Sequence, residues 1–489
     1  MTPFRSSTGL AKPLCFLPVM ILVAALVACG NGGGTGTSKG TDGGGGTTGI
    51  LLVQLSDATA DQVAALSLSF SSLTLTSQAG STVTVLSTPV TIEITRLAGT
   101  STPLAVLSSI PQGTYTSLTL VVGSPALTLL SPTTQQPSHP NLPAGPFTVS
   151  LTFSPAMVIS TTPMVLTLDV NTAASLTSDS QGNISFSPSV NLTTAALASS
   201  NLNPFNGQLE HVVGQVSSVS TNSFTMTLRF GDQSLTFNTD SNTKFTGITG
   251  LSQLTTGQLG VVDGSLQSNG SFLAGNVKAS SLPQFAFHTQ GLLTARIPAA
   301  PGDVTNFQMA ARELTGGGLQ SNFLGNGLNI AVTNTGNTPT VYVINQAGVD
   351  LTNLPFTATF DATTVVPGQA VEASSTGQLL PASTTFSGVG AFPSQLVFGE
   401  VSTLEVDLQQ QSLSGTVSNL TGNTFTLTLT SDSVFATLTG ATTAVVYIQP
   451  DTQSIGITVA DGASVTVHGL LFKDSSTYRL VAARILPKV

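Results

Sequence analysis

Asp57 and Asp61 are the best-spaced carboxylate pair in the chain. On a helical turn, residues four apart share a face. Asp169 could join them as a Ca²⁺ ligand, because calcium gathers several carboxylate and carbonyl oxygens. The spacing matches no calcium loop, and a helix N-cap plus a solvated turn carboxylate explains the same residues. No metal is therefore expected, and Asp57, Asp61 and Asp169 stand only as candidates. The histidines, His139, His211, His288 and His468, lie far apart, with no His-Glu-x-x-His pair. No ligand or general-base role is read into them: His139, between Ser138 and Pro140, reads as a loop residue and His468 as a strand-face residue. Serine is abundant, but the Gly-x-Ser-x-Gly turn that exposes a nucleophile is absent. A triad assembled from distant segments stays open at this level. Gly316-Gly317-Gly318 lacks the Lys and the strand-to-helix context of a phosphate cradle, so it reads as a loop. No catalytic residue and no cofactor is expected.

Cys29 carries the clearest covalent chemistry. It ends Leu26-Val27-Ala28-Cys29, behind an apolar run from Leu14 to Val27, with Arg5 and Lys12 before the run. A basic start, a short apolar core and small residues before a cysteine make a bacterial lipoprotein signal. The thiol takes a diacylglycerol, residues 1–28 are removed, and the new amino terminus takes a further chain such as palmitate. The alternatives are an ordinary secretory signal or a spanning anchor, which needs about 20 apolar residues. Two or more acyl chains hold a membrane stably, where one binds only marginally. Gly30 follows the cysteine where an Asp would mark inner-membrane retention, so the outer membrane of the cell envelope is the expected location. Cys15 leaves with the signal, so the mature chain has no pair for a disulfide and no thiol for catalysis or metal.

These residues sit in a chain with few charges. Asp, Glu, Lys and Arg make up 7% of it, against roughly 25% in typical soluble domains. The surface must be covered by Ser, Thr, Asn and Gln, which create little long-range field. The balance is acidic, −9 with only 13 Lys and Arg, too few and too scattered to displace counterions from phosphates, so no nucleic-acid partner is expected. Sugar binding usually uses Trp and Tyr faces; there is no Trp, and there are four Tyr.

Gly30 to Gly49 is almost entirely Gly, Thr and Ser, a flexible tether that spans roughly 25 Å. Beyond it, apolar residues alternate with polar ones, the strand pattern. Leu51, Val53 and Leu55 begin the series; Leu66, Leu68 and Phe70, then Leu118, Leu120 and Val122, then Val149, Leu151 and Phe153 continue it. Turn residues separate these runs, which suggests a β-sandwich over residues 50–200. The one helical hint is Asp57 to Leu66, with Ser56 or Asp57 as N-cap. From residue 208 the chain repeats itself. Val213-Gly214-Gln215-Val216 is echoed by Ser414-Gly415-Thr416-Val417, and Phe224-Thr225-Met226-Thr227-Leu228 by Phe425-Thr426-Leu427-Thr428-Leu429. Gly257 and Gly264 correspond to Gly462 and Gly469. A diverged middle copy opens at Gly291 and returns at Val366-Pro367-Gly368-Gln369-Ala370-Val371. The expected architecture is all-β: signal 1–28, lipidated tether 29–49, sandwich 50–200, and three small barrel-like repeats at 208–285, 286–408 with an insertion, and 409–489.

Two resemblances add to this reading. Leu55-Ser56-Asp57-Ala58-Thr59-Ala60-Asp61 resembles the Asp-Ala-Pro-Ala-Asp opening of a bacterial lipoprotein domain family, domain of unknown function four-three-eight-two, with Thr59 in place of the usual Pro. Ile110-Pro111-Gln112-Gly113-Thr114-Tyr115 resembles its Pro-Ala-Gly-x-Tyr turn, and Leu168-Asp169-Val170 and Ser187-Pro188-Ser189-Val190 resemble its final segments. The repeats resemble domain of unknown function five-six-six-six, a small β-barrel similar to oligonucleotide/oligosaccharide-binding barrels. The resemblance implies a β-rich envelope protein with no known chemistry.

The expected role is that of a membrane-anchored envelope lipoprotein, a hydroxyl-coated rod with a structural or adhesive, non-catalytic function. A glycan- or peptide-binding surface module is the alternative, and a hydrolase comes third. A transmembrane porin fits less well, since such barrels carry aromatic girdles. Cys29→Ser should leave the protein unlipidated, because only a thiol accepts the diacylglycerol. Phase partition in detergent checks this: the variant should move to the aqueous phase, and a variant that stays with the wild type would refute the anchor.

Overall fold

The computed structural model describes residues 47–58, 60–197, 207–228, 233–279, 287–298, 302–316, 324–336, 339–346, 348–375, 394–397, 403–431 and 433–488. Cys29, most of the tether, and Gly317 and Gly318 lie outside them. The described chain is all-β. Over residues 47–197 the strands are β1 (Thr48–Ala58), β2 (Val63–Ser77), β3 (Thr82–Leu86), β4 (Val90–Glu93), β5 (Thr102–Pro111), β6 (Gly113–Leu130), β7 (Pro137–Ser138), β8 (Phe147–Ile159), β9 (Met164–Asn171), β10 (Leu176–Ser178), β11 (Ile184–Phe186) and β12 (Val190–Ala196). One sheet runs β12-β9-β1-β5, with β1 parallel to β9; the other is built on β3-β2-β6-β7, with β4 on β2 and β8 on β6. Their inner faces share one core, which holds Leu51, Val53 and Leu55 with Leu66, Leu68, Phe70, Leu118 and Leu120. Strand side chains alternate between faces, so Leu52 points the other way and packs with the first barrel. The Pro111–Tyr115 turn is pinned by its tyrosine: the buried Tyr115 hydroxyl donates to the Pro111 carbonyl at 2.9 Å.

The helix suggested for Asp57–Leu66 is not formed. Asp57 is the penultimate residue of β1, which ends at Ala58; a tight turn closes with Val63 N–H on the Ala60 carbonyl at 3.0 Å, and β2 begins at once. Val63, Leu66, Leu68 and Phe70 find the sandwich core as a strand, and that burial outweighs a local helical preference. Asp57 and Asp61 thus share no helix face.

The repeats follow one strand plan. The first has β13 (Gln208–Val219), β14 (Ser223–Leu228), β15 (Ser234–Asn238), β16 (Lys244–Thr246), β17 (Leu259–Leu266) and β18 (Phe272–Ala279). The middle one has β19 (Phe287–Ile297), β20 (Asn306–Gly316), β21 (Gly327–Ala331), β22 (Val341–Ile344), β23 (Ala370–Ser375), β24 (Ser394–Val397) and β25 (Thr403–Leu408). The last has β26 (Gln411–Thr421), β27 (Thr424–Leu429), β28 (Thr443–Ser454), β29 (Ser464–Asp474) and β30 (Thr477–Pro487). In the first and last units five strands close into a ring, sealed by the parallel pairs β15–β18 and β28–β30. The middle unit keeps the order β25-β23-β19-β20-β21, but β22 and β24 occupy the two ends where the ring would close.

The repeated glycines sit at one structural position. Gly214, Gly291 and Gly415 face Leu228, Ala311 and Leu429 on the next strand. A Cβ there would lie 2.7, 2.2 and 2.2 Å from the carbonyl oxygens of Thr227, Ala310 and Thr428. Gly264 and Gly469 meet the carbonyls of Leu273 and Val481 in the same way, at 2.6 and 2.1 Å. Glycine lets neighbouring backbones approach where a small barrel bends sharply.

Gly46–Val489 is one compact unit. A small apolar joint combines Ala64 and Leu130 of the sandwich, Leu292 and Ala310 of the middle unit, and Val434 and Leu438 of the last. The latter two lie on the helix α1 (Val434–Thr439), capped by Ser433 and Gly440. Gly264→Ala should destabilise the protein by about 1–3 kcal/mol through overpacking. Gly275→Ala, whose nearest contact would be Asp263 O at 3.6 Å, should stay within about 0.5 kcal/mol of wild type. Urea unfolding of both variants checks the pair, and equal midpoints would contradict the close-approach argument.

Candidate functional site

Charged side chains gather where the units meet. Arg96 is delivered by the sandwich: the Glu93 carboxylate accepts the backbone N–H of Thr95 (3.1 Å) and Arg96 (3.1 Å), folding the chain into a short turn after β4. His211 comes from the first barrel. A bulge between Leu209 and Val212 puts it at φ +52°, and its N–H donates to Asp263 Oδ1 at 2.8 Å. Lys278 comes from the end of β18. The middle unit supplies His288 (β19), Glu313 (β20), Glu372 (β23), and Glu405 and Asp407 (β25).

The His211 and His288 rings stack, 5.9 Å apart and 29° from parallel. Their Nδ1 atoms lie 3.9 and 3.3 Å from the two Glu372 carboxylate oxygens. Their Nε2 atoms are buried and have no hydrogen-bond partner; that of His211 lies 3.6 Å from Glu313 Oε2, which is also 3.6 Å from Arg96. Lys278 Nζ donates to Glu372 at 2.6 Å and to Asp407, with Glu405 at 3.3 Å. Gln409 donates to Glu372 at 3.1 Å.

Burial opposes the Lys278 ammonium, but Asp407, Glu372 and Glu405 together outweigh it and hold its pKa above the ordinary range. Burial raises Asp407 more than Lys278 lowers it. Glu372 is held low because Lys278, His288 and His211 outweigh its own burial. Burial pushes His288 down, against the attraction of Glu372 and Glu313, which favours the neutral imidazole. Among the described residues, the imidazoles of His211 and His288 and the Glu313 carboxylate form the donor set able to hold a metal ion, with donor atoms within 4.8 Å of one another.

The carboxylates singled out in the sequence lie outside this cluster. Asp57 is buried and accepts from Thr172 Oγ1; burial raises its pKa well above the carboxylate range, which makes it a poor cation ligand. Asp169 accepts from Ser56 at 2.9 Å. Asp61 serves the last barrel instead: it takes Lys488 Nζ at 2.6 Å, Thr430 at 3.0 Å and, through its carbonyl, the Val434 N–H at 2.8 Å. His139 contacts Thr128 at 3.2 Å outside the cluster, and His468 lies buried on β29 against Ser412 at 3.0 Å. A sequence signal for the cluster did exist. His211 and His288 each stand three residues before a repeat glycine, Gly214 and Gly291.

A cleft of about 90 Å³ opens beside the joint, between the sandwich, the middle unit and the last barrel. Arg96, Arg312, Gln290, Gln410 and Ser412 line it. Arg312 donates to the Ala64 carbonyl at 2.8 Å, and the buried Gln290 amide oxygen has no hydrogen-bond partner.

The fold and joint define a composite β protein, a sandwich fused to small barrels. Residues 48–188 match the family model described as Domain of unknown function (DUF4382), and residues 213–278 match the one described as Domain of unknown function (DUF5666). The chain thus matches the first model over one segment and the second over the next. No curated protein matches it. Among solved structures, the single-stranded DNA binding protein from Thermus aquaticus aligns at 15% identity over 41% of this chain and 90% of that one. Its TM-score of 0.14 is too low to carry any conclusion.

His468 gives a pH prediction. Burial lowers its pKa to about 4 from 6.5. Below pH 6.5 the unfolded chain takes a proton that the folded one refuses, so stability falls with pH, by roughly 2 kcal/mol at pH 5, and levels off below pH 4. His468→Gln should reduce the loss between pH 7 and pH 5 by about that amount. Urea unfolding at the two pH values measures it, and an unchanged loss would contradict the assignment.

Proposed function

We propose that this protein is a lipid-anchored envelope lipoprotein, sorted to the outer membrane through Cys29, with a structural or adhesive, non-catalytic role. One observation carries the non-catalytic part. In six of the seven Lys or Arg pairs with carboxylates seen among the described residues, the partners come from different units. Arg484 of the last barrel holds Glu210 of the first and the Gly99 carbonyl of the sandwich; Lys488 holds Asp61. The scarce charges clamp units together, and the His–Glu cluster is buried among them rather than set in an open cleft. Surface contacts are left to Ser, Thr, Asn and Gln.

A second reading rests on the cleft around Gln290, where Arg96, Arg312 and Gln410 also point to a polar ligand rich in hydrogen-bond acceptors, such as a glycan or peptide segment. Binding of the intact, detergent-solubilised lipoprotein to isolated envelope material tests both. Attachment should barely change between low and high salt, because the screened Coulomb term is small on such a surface. Loss in Gln290→Ala would favour the cleft over a passive scaffold. Collapse of binding with salt, or hydrolysis of a model ester or glycoside abolished by His288→Gln, would overturn the proposal.

A further inference from the structure

We propose that His211, His288 and Glu313 hold one divalent transition-metal ion of the zinc type, as a structural clasp between the first barrel and the middle unit. The proposal is independent of the membrane anchor. Three features of the geometry point to it. First, the two Nε2 atoms are buried without a hydrogen-bond partner, and leaving a buried polar atom unpaired is costly. Two such atoms stacked side by side call for something that takes lone pairs from both. Second, the opposite edges of both rings face a single carboxylate, Glu372, within 3.3 Å of His288 Nδ1 and 3.9 Å of His211 Nδ1. A carboxylate on one imidazole nitrogen fixes the tautomer and leaves the other nitrogen as a stronger ligand, the usual support for a metal-binding histidine. Third, the carboxylates of Glu313, Glu372 and Glu405 face two fixed cations, Arg96 and Lys278, an excess of carboxylates that favours a further cation.

The donor types choose the metal. Imidazole nitrogens with one carboxylate suit zinc and its neighbours, whereas calcium and magnesium prefer oxygen throughout. Tetrahedral ligands about 2.0–2.1 Å from zinc lie roughly 3.3 Å apart. Donors already within 4.8 Å need small side-chain rotations to close on an ion. Glu313 Oε2 lies 3.6 Å from both His211 Nε2 and Arg96, beside the ring edge that would share the ion. His288, Glu313 and Glu372 are buried, which suits a closed structural site rather than one that exchanges substrate. The last barrel has Ser412 at the position of the two histidines, three residues before Gly415, so the same plan has no site there.

The test uses the untagged, intact lipoprotein in detergent, stripped with a chelator and titrated with zinc or cobalt(II). Calorimetry should give about one zinc per chain, with affinity at least about tenfold weaker in His211→Gln and in His288→Gln, and unchanged in His139→Gln. Cobalt should develop the intense visible bands of a four-coordinate site. Absorption spectroscopy at the zinc edge of the wild type should count two imidazoles per metal, a readout that stands even where a variant does not fold. Absence of stoichiometric uptake, equal uptake in all variants, or fewer than two imidazoles on the metal would overturn the proposal.

Discussion

A buried ammonium must be paired, and Lys278 finds its partners in a different unit. The first barrel ends on it, and Glu372, Glu405 and Asp407 of the middle unit surround it. Removing one side of such an arrangement strands the other as uncompensated charge, at about 3–5 kcal/mol. The units are therefore fixed in relation to one another by electrostatic need as well as by apolar contact. The apolar cores agree: Leu470, Phe472, Val481 and Ala483 of the last barrel belong to the core of the middle unit, and Leu52 and Val165 of the sandwich belong to that of the first barrel.

The repeats show how one backbone plan is reused with different chemistry. A glycine at a fixed bend keeps the strands close in all three units. Three residues before it the chain has His211, His288 and Ser412. Two of these meet across a unit boundary around Glu372, while the third pairs within its own barrel with His468. The insertion in the middle unit adds β22 and β24 at the points where the other two units seal their rings.

Alternation made most strands legible. Leu51, Val53 and Leu55, or Leu118, Leu120 and Val122, declare a buried face directly, and the spacing of the glycines declares the repeats. The two families were legible too, from short motifs such as Ile110–Tyr115. The turn at Ala60–Val63 was not, because Asp57 to Leu66 satisfies the local rules for a helix start and only the far side of the sandwich makes a strand cheaper. The charged joint was less legible still. Arg96, His211, Glu313 and Glu372 are separated by long stretches of sequence, and their meeting depends on a bulge at His211 and on the packing of three units. Spacing along the chain holds no record of either. His211 and His288 share a repeat position, but equivalence within a repeat does not reveal that the two copies face each other.

The place of β1 in its sheet has a mechanical meaning. The strand lies between β9 and β5 and is bonded along both edges. A pull on the amino end of the strand, along its axis, loads both ladders at once in shear. Many backbone hydrogen bonds then resist together instead of peeling one after another, as they would for a strand at the edge. The chain thus enters its folded body through the strand best arranged to bear tension.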